Sequence, residues 1–241
     1  MIPDRRISFS TPASYGPADT TLAPAIPRFR SRGTLAAELS ALVTRTFEIA
    51  VAIVALIVTS PIMLVVALIV KWDTPGPALF RQRRVGRNGR VFWFYKFRTL
   101  HADAQERFPE LYAYNYSHEE VLRLKFKVEH DPRVTPAGRW LRRSTLDELP
   151  NFWNLLTGDV ALVGPRPEIP EMLKHYTPDQ LVKFSVRPGI TGLAQTHGRG
   201  NLPFQRTIAW DIEYVKNRSL WLDIKIIART VRMLFTPEGA Y

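Results

Sequence analysis

The longest hydrophobic run in the chain extends from Ile49 to Val70 and contains no charged residue. As one straight helix it would measure roughly 33 Å at about 1.5 Å per residue, which matches a hydrocarbon core of about 30 Å. It begins too far into the chain for a signal peptide, and no small-residue cleavage site follows it. The pattern predicts a membrane helix, and a single spanning anchor is its simplest interpretation.

Two features of this run favour a different topology. Ser60 and Pro61 interrupt its middle, where a proline removes a helix hydrogen bond and bends the chain. Basic residues flank both ends of the run: Arg28, Arg30, Arg32, Arg45, Lys71, Arg81, Arg83, Arg84, Arg87 and Arg90. Because basic flanks stay in the cytoplasm, we expect a re-entrant helix that breaks at Ser60–Pro61 and leaves by the face it entered. The Ser60 hydroxyl is a candidate partner for the backbone groups freed there.

The polar pattern around the run divides the chain into three parts. Residues 1–33 are rich in Pro, Ser, Thr and Ala without periodicity, which predicts a flexible tail. Spacings of seven and three put three charges on one helical face: Glu38, Arg45 and Glu48. The membrane helix is therefore expected over residues 34–71, and residues 72–241 are expected to form a small cytoplasmic domain.

Within that domain, the dipeptide Asn88-Gly89 before a β-branched and aromatic stretch predicts a β-hairpin. Residues 101–130 are expected to form a charged, mostly helical insertion, and residues 202–235 two helices. In the last helix, three cations recur at spacings of four and three beside apolar positions: Lys225, Arg229 and Arg232. That helix either packs on the core or lies in the membrane interface. The fold class is α+β, mainly helical, with interfacial amphipathic helices.

The net charge of the chain indicates which kinds of binding partner to expect. The chain has 241 residues, with 33 Lys and Arg against 22 Asp and Glu, giving a net charge of +11. Such a surplus favours nucleic acid, phosphorylated substrates or acidic lipid. The chain has no cysteine, which excludes disulfides, thiolate metal sites and a cysteine nucleophile. The absence of a helix-turn-helix, zinc-finger or RNA-recognition signature, together with the membrane segment, argues against nucleic acid.

Two adjacent acids, Asp147 and Glu148, stand out in this basic setting. One interpretation is structural, because Ser144-x-x-Asp147 and Thr145-x-x-Glu148 both match a capping box, and Pro150 is tolerated in a first helical turn. A helix would then start at Asp147 or one residue earlier, with its dipole favouring the acids.

The other interpretation of the acid pair is chemical. Neighbouring helix residues diverge by about 100°, so the two acids would do different jobs: one attacks while the other holds a metal. Several cations are available to neutralise a phosphoryl group: Lys96, Arg98, Arg142, Arg143, Arg166 and Arg187. Arg166 is distinctive because Pro165 and Pro167 fix its backbone and its planar side chain suits phosphate oxygens.

These residues carry a family resemblance. The Ser-Pro pair in an N-terminal apolar helix precedes "KFRTL" (Lys96–Leu100), "DPRVTPAGRWLRRSTLDELPNFWNLLTGDVALVGPRP" (Asp131–Pro167) and "RPGITGLAQ" (Arg187–Gln195). In this order the motifs resemble the bacterial sugar transferases, the monotopic phosphoglycosyl transferases, over the chain from about Phe47 onward. The resemblance is closest to the galactosyl-phosphate transferases that initiate exopolysaccharide synthesis.

The resemblance implies a two-step transfer of sugar-1-phosphate from a UDP-sugar, best guessed as UDP-galactose or UDP-glucose, to undecaprenyl phosphate, with release of UMP. Asp147 is implied as the nucleophile and Glu148 as the Mg²⁺ ligand. The implied phosphate contacts are Lys96, Arg142 and Arg166, and the predicted set adds Arg98 and Arg187. The implied location is the bacterial inner membrane, with membrane lipids as partners and the catalytic domain on the cytoplasmic face.

Two points stay open. Ala194 stands where the family often has tryptophan, and His197 is unusual nearby, which leaves the donor sugar undecided. A non-catalytic, basic membrane-anchored adaptor is the alternative function, and a homodimer is an assembly left open.

Overall fold

A computed structural model describes Ile26 and residues 35–125, 130–198 and 201–235, and it is mainly helical with small sheets. The helices are α1 (Leu35–Asp73), α2 (Ala104–Arg107), α3 (His118–Arg123), α4 (Pro136–Ser144), α5 (Asn151–Thr157), α6 (Leu193–Gly198), α7 (Phe204–Asn217) and α8 (Leu220–Phe235). The strands are β1 (Leu79–Val85), β2 (Val91–Phe97), β3 (Ala161–Val163) and β4 (Gly189–Thr191). The predicted tail lies outside the described residues apart from Ile26, which is buried against Val85, Leu173, Leu181 and Phe184.

Helix α1 is 39 residues long and is helical through Ser60 and Pro61. Pro61 has no N–H to donate to the carbonyl of Ile57, four residues earlier. The Ser60 hydroxyl donates to that same carbonyl at 2.8 Å. The serine therefore satisfies the acceptor that the proline leaves without its helical donor.

Helix α1 touches the rest of the protein at two separate places. Ala52 packs in a cluster with Phe92, Phe94, Leu155 and Val160, and a second cluster joins α1 to β2 and α4 through Val66, Val70, Phe97 and Leu141. Between the two contacts, Val54, Ile57 and Val58 are 61–67% exposed. Within the described part of the chain, the segment Glu38–Asp73 is the one helix long and apolar enough to cross a membrane, and an 18-residue window of it has a mean hydropathy of 2.9.

The hairpin predicted at Asn88-Gly89 is confirmed. Strands β1 and β2 pair antiparallel, with Gln82 opposite Phe94. Asn88 has φ 55° and Gly89 has φ 82°, the left-handed conformations that these two residues tolerate in tight turns. The hairpin positions Lys96, one of the predicted phosphate contacts. The side chain of Lys96 extends from β2 beside Phe94, with its Nζ atom 5.5 Å from the ring centroid.

The second sheet was not predicted. Strands β3 and β4 pair in parallel, with Ala161 opposite Gly189. The backbones approach so closely that a Cβ atom on Gly189 would lie 2.1 Å from the amide nitrogen of Gly164. This contact fixes the start of the Pro165–Pro167 segment, which follows β3 directly.

Candidate active site

The acid pair lies in a sharp connection between two helices. Helix α4 ends at Ser144, and Thr145 takes the left-handed conformation with φ 59° and ψ 11°. Asp147 and Glu148 then form part of a short 3-10 turn, Leu146–Glu148. A β-branched residue in the left-handed region is strained, so the turn is held by its surroundings rather than by local preference.

The capping-box interpretation of the acid pair is wrong. The hydroxyl of Ser144 donates back to the carbonyls of Trp140 and Leu141 at 3.1 Å, and that of Thr145 donates to the Ser144 carbonyl at 2.6 Å. Both hydroxyls therefore close the end of α4, because the chain reverses at Thr145 before the next helix can start. Helix α5 begins at Asn151, after Pro150, so the acids precede it.

The two carboxyl groups have opposite electrostatic characters. Asp147 is 8% exposed, and burial raises the pKa of its carboxyl to about 6, although the charge of Lys96 acts in the other direction. Burial also acts to raise the pKa of Glu148, but the charges of Lys96 and Arg166 outweigh it, and the pKa lies below its usual value. Neighbouring acids with divergent pKa values suit different roles in one reaction.

Cations approach the pair from three elements. The Nζ atom of Lys96, on β2, lies 2.5 Å from Glu148 Oε1. Arg142, on α4, is close enough for its charge to lower the pKa of Asp147, and its Nε–H donates to the Thr99 hydroxyl at 3.1 Å. Arg166, whose charge lowers the pKa of Glu148, is exposed in the segment after β3. The structure thus brings together Lys96, Arg142, Arg166 and the acid pair.

Arg84 is a site residue that the sequence analysis missed. Its charge also lowers the pKa of Glu148. Its Nη1 atom donates to the Pro167 carbonyl at 3.0 Å, while its buried Nε has no hydrogen-bond partner. Burial lowers the pKa of Arg84 to about 10. In the sequence, nothing distinguishes Arg84 from the nearby Arg81 and Arg83.

The structure gives Arg98 other partners than the acid pair. Its side chain is 5% exposed and donates to the carbonyls of Thr74, Pro75 and Pro77 at 2.7–2.8 Å. Those carbonyls follow the end of α1. The guanidinium therefore holds the turn that leads from the membrane helix into β1.

Arg187 lies at the other contact of α1. Its Nη2 atom is 2.8 Å from the carboxylate of Glu48, which is 3% exposed on α1, and its Nη1 donates to the Val160 carbonyl at 3.3 Å. Arg45 completes this cluster by donating to the carbonyls of Leu155 and Leu156, both at 2.7 Å. Arg98 and Arg187 thus fasten the membrane helix to the domain.

The acid pair offers carboxylate oxygens of the kind that Mg²⁺ binds. Among the described residues, no three His, Asp or Glu side chains lie close enough to hold a metal ion by themselves. Mg²⁺ commonly takes one or two carboxylates and completes its shell with water and substrate phosphate. Asp147 and Glu148 offer such carboxylates beside cations that suit phosphate oxygens.

Comparison with known proteins defines the class. The sequence profile of the family described as bacterial sugar transferase matches residues 39–237, which include both contacts of α1, the acid pair and the cations around it. The protein belongs to the bacterial sugar transferase family, as the motifs indicated.

The chain is also similar to individual members of this family. The chain is 39% identical over 212 residues to the undecaprenyl-phosphate galactose phosphotransferase of Salmonella typhimurium, covering 88% of this chain and 44% of that protein. It is 36% identical to the exopolysaccharide production protein ExoY of Rhizobium meliloti, covering 82% of this chain and 87% of the relative. A UDP-glucose:undecaprenyl-phosphate glucose-1-phosphate transferase of Caulobacter vibrioides is 38% identical, with 82% and 71% covered. The chain spans less than half the length of several relatives.

Proposed function

We propose that the protein transfers a sugar-1-phosphate from a UDP-sugar to undecaprenyl phosphate and releases UMP, as the first membrane step of exopolysaccharide synthesis. The observation that carries the proposal is a buried carboxyl, Asp147, with a raised pKa beside the lysine-paired Glu148 and amid arginines. The names of the relatives, which specify galactose or glucose and undecaprenyl phosphate, support UDP-galactose or UDP-glucose as donor.

In the proposed first step, a carboxylate oxygen of Asp147 bonds to the phosphorus that carries the sugar. The bond from that phosphorus to the oxygen bridging to UMP breaks, and its electron pair leaves with UMP. A carboxylate with a raised pKa is desolvated and basic, which favours attack. Lys96, Arg84, Arg142 and Arg166 hold the diphosphate in line and neutralise its charge, which is the main requirement of phosphoryl transfer.

In the second step, a phosphate oxygen of undecaprenyl phosphate bonds to the same phosphorus. The bond to Asp147 breaks, and the carboxylate is regenerated. Glu148 would hold Mg²⁺ together with substrate oxygens, and the ion would supply charge neutralisation at the diphosphate. The raised pKa of Asp147 and the lowered pKa of Glu148 support an attacking role for the first acid and a metal-binding role for the second.

The decisive experiment is to give the protein a UDP-sugar labelled at the sugar-bearing phosphate, without lipid acceptor. The wild-type protein should release UMP and carry the label on the peptide containing Asp147, and undecaprenyl phosphate should remove it. Asp147→Asn keeps the side-chain size and should give neither UMP nor label. Glu148→Gln should slow both steps and respond to added Mg²⁺.

Direct displacement predicts a different result, with no labelled protein and no UMP until lipid is added. A non-catalytic adaptor predicts no UMP under either condition. A panel of UDP-sugars in the same assay would identify the donor.

We further propose that α1 is re-entrant and that the domain lies on the cytoplasmic face of the bacterial inner membrane. Both ends of α1 bond to one domain: Arg45 donates to Leu155, and the Ala137 amide donates to Asp73 at 3.3 Å. A straight spanning helix would put Arg45 and Asp73 on opposite sides of the membrane. The exposed apolar middle of α1, which includes Ile57, would then lie in lipid with Ser60 and Pro61 at its deepest point.

Single cysteines at the exposed positions Glu38 and Asn88 test this topology, since the natural chain has none. Both should react with a membrane-impermeant reagent in inside-out vesicles and not in intact spheroplasts. Labelling of the Glu38 position from outside would show a spanning helix instead.

Helix α8 supports membrane contact at a second place. Ile226 on one side of the helix is 1% exposed, whereas Leu220, Trp221 and Ile224 are 47–74% exposed. Three cations lie between the buried and the exposed apolar sides: Lys225, Arg229 and Arg232. We propose that this exposed side lies in the interface, with its cations at anionic headgroups.

Charge reversal on α8 tests this contact. Lys225→Glu with Arg229→Glu should weaken retention on anionic liposomes, whereas Arg206→Glu with Lys216→Glu makes the same charge change on α7 and should weaken it less. Equal losses would mean that net charge, not α8, governs binding.

A further inference from the structure

We propose that a buried polar network beneath the Pro165–Pro167 segment positions Arg166 over the acid pair. The network consists of Glu168, Tyr176, Lys183 and Asp211. The proposal rests on the proposed function, because Arg166 matters only if the acid pair processes an anionic substrate. Its members are positioning residues and touch no reacting atom.

The centre of the network is an ion pair away from solvent. Lys183 and Asp211 have side chains only 2% and 1% exposed, and Lys183 Nζ lies 2.9 Å from Asp211 Oδ2. Lys183 comes from the 3-10 segment Pro178–Ser185 and Asp211 from α7, which pack together. The other carboxylate oxygen, Asp211 Oδ1, accepts the backbone N–H of Arg166 at 3.3 Å.

A second branch reaches the other end of the segment. Lys183 Nζ donates to the Tyr176 hydroxyl at 3.1 Å, and that hydroxyl donates to Glu168 Oε2 at 3.0 Å. Glu168 Oε1 accepts the backbone N–H of Ile169 at 3.0 Å. The network therefore accepts hydrogen bonds from the backbone at Arg166 and again just after Pro167, at Ile169.

The same segment is joined to the hairpin. The Val85 amide donates to the Glu168 carbonyl at 2.7 Å, and Arg84 donates to the Pro167 carbonyl at 3.0 Å. Two site arginines, Arg84 and Arg166, are thus attached to one short piece of chain. A shift of that piece would move both of them relative to Glu148.

The Pro-Arg-Pro sequence explains why a buried acid is used here. Proline has no N–H, so Arg166 supplies the one backbone donor between Pro165 and Pro167, and Asp211 accepts it. Buried ion pairs seldom add net stability compared with apolar residues of the same volume. An apolar pair would fill the space but would leave the Arg166 N–H without its acceptor.

The consequence for catalysis is pre-organisation. The Arg166 side chain is exposed and able to meet substrate, while its backbone is fixed from below. A cation held in place before substrate arrives loses less entropy on binding, and a displacement of about 1 Å can cost about 100-fold in rate.

A double-mutant cycle separates positioning from general stability. Tyr176→Phe removes one hydroxyl from the network, and we expect kcat/KM for UMP release to fall about tenfold. In an Arg166→Ala background the same change should have a clearly smaller effect, because only Arg84 is then left to be displaced. Lys183→Met with Asp211→Leu replaces the ion pair without leaving either of its two charges unpaired, and it should follow the same pattern.

Tyr214→Phe is the matched control. Tyr214 is more deeply buried than Tyr176, and its hydroxyl lies 2.8 Å from Asp223 Oδ1 and 3.2 Å from the Val163 carbonyl, outside the network. Its effect should be the same in both backgrounds. If Tyr176→Phe also costs the same factor with and without Arg166, the network is only structural and the proposal is wrong.

Hydrogen exchange provides a readout independent of activity. The Arg166 amide should exchange faster in the Lys183→Met, Asp211→Leu protein than in the parent or in Tyr214→Phe. Unchanged exchange would overturn the positioning claim even if UMP release is normal. If exchange is faster in the variant but the parent protein releases no UMP from any UDP-sugar, the proposed function is wrong and the positioning claim stands.

Discussion

Two cations separated by a single residue in the motif Lys96-Phe97-Arg98 lie in different regions of the molecule. Lys96 lies on β2 and pairs with Glu148 in the site. Arg98 lies just past the end of β2 and donates to carbonyls at the end of α1. The motif therefore serves two purposes, chemistry at the acid pair and attachment of the membrane helix, and proximity in sequence does not distinguish them.

Arg142 and Arg187 differ in the same way, one lying at the site and the other attaching the membrane helix. Arg142 is anchored through Nε to the Thr99 hydroxyl, with Nη1 3.9 Å from Asp131. Arg187 directs Nη2 to the buried Glu48 and Nη1 to a backbone carbonyl. An arginine held mainly through one nitrogen can still receive a phosphate, whereas one whose fork is filled by protein acceptors is committed to structure.

The largest effect should come from the site region. Arg142→Met should lower kcat/KM for UMP release by about 100-fold or more, because a positioned charge at the transferring phosphoryl group is lost. The thermal midpoint in detergent should fall by less than about 4 °C. Arg139→Met, an exposed position on the same helix, is the control and should change neither quantity. A large fall in the thermal midpoint of Arg142→Met would mean that Arg142 has a structural role.

The reverse pattern is expected at the membrane-helix junction. Arg98→Met leaves carbonyls at residues 74, 75 and 77 without their donor, which should cost about 3 kcal/mol of unfolding free energy. The midpoint should fall by about 6 °C or more, while UMP release per folded molecule stays close to that of the parent. If Arg98→Met instead keeps its midpoint and loses activity, Arg98 is a substrate contact after all.

The contrast also marks what sequence can predict. The hairpin follows from a local turn signal at Asn88-Gly89, and the apolar helix follows from composition over twenty-two residues. The acid pair and Arg166 could be found because short motifs hold them. The partners of Arg98 and Arg187 could not, since these arginines contact residues that are between 21 and 139 positions away in the sequence.

Two local features of the fold were not predicted from the sequence, for related reasons. The pairing of β3 with β4 joins short strands 28 residues apart at Ala161 and Gly189, and neither strand has a distinctive alternation. The left-handed Thr145 breaks the helix where its sequence matched a capping box. Tertiary contacts overrode a local preference there, next to the residues that carry the proposed chemistry.

The smallest effect is expected at Asp131, which lies close to Arg133 and to the site residue Arg142. It accepts hydrogen bonds from Arg133 at 2.8–3.0 Å and lies 3.9 Å from Arg142. Burial alone would raise the pKa of Asp131, but the hydrogen bonds and charge of Arg133 outweigh it, and the pKa lies below its usual value.

A folded-state pKa below the unfolded value means that ionised Asp131 stabilises the protein above about pH 4, and that this contribution is lost as the pH falls through the folded-state pKa. Asp131→Asn should therefore cost about 2 kcal/mol at pH 7 and progressively less toward pH 3. The exposed Asp103, 3.6 Å from Arg107, is the control, and Asp103→Asn should cost under about 1 kcal/mol at either pH. Urea unfolding of both variants at the two pH values measures the difference. A cost for Asp131→Asn that does not change with pH would mean that packing, rather than the charge shared between Arg133 and Arg142, is what this carboxylate supplies.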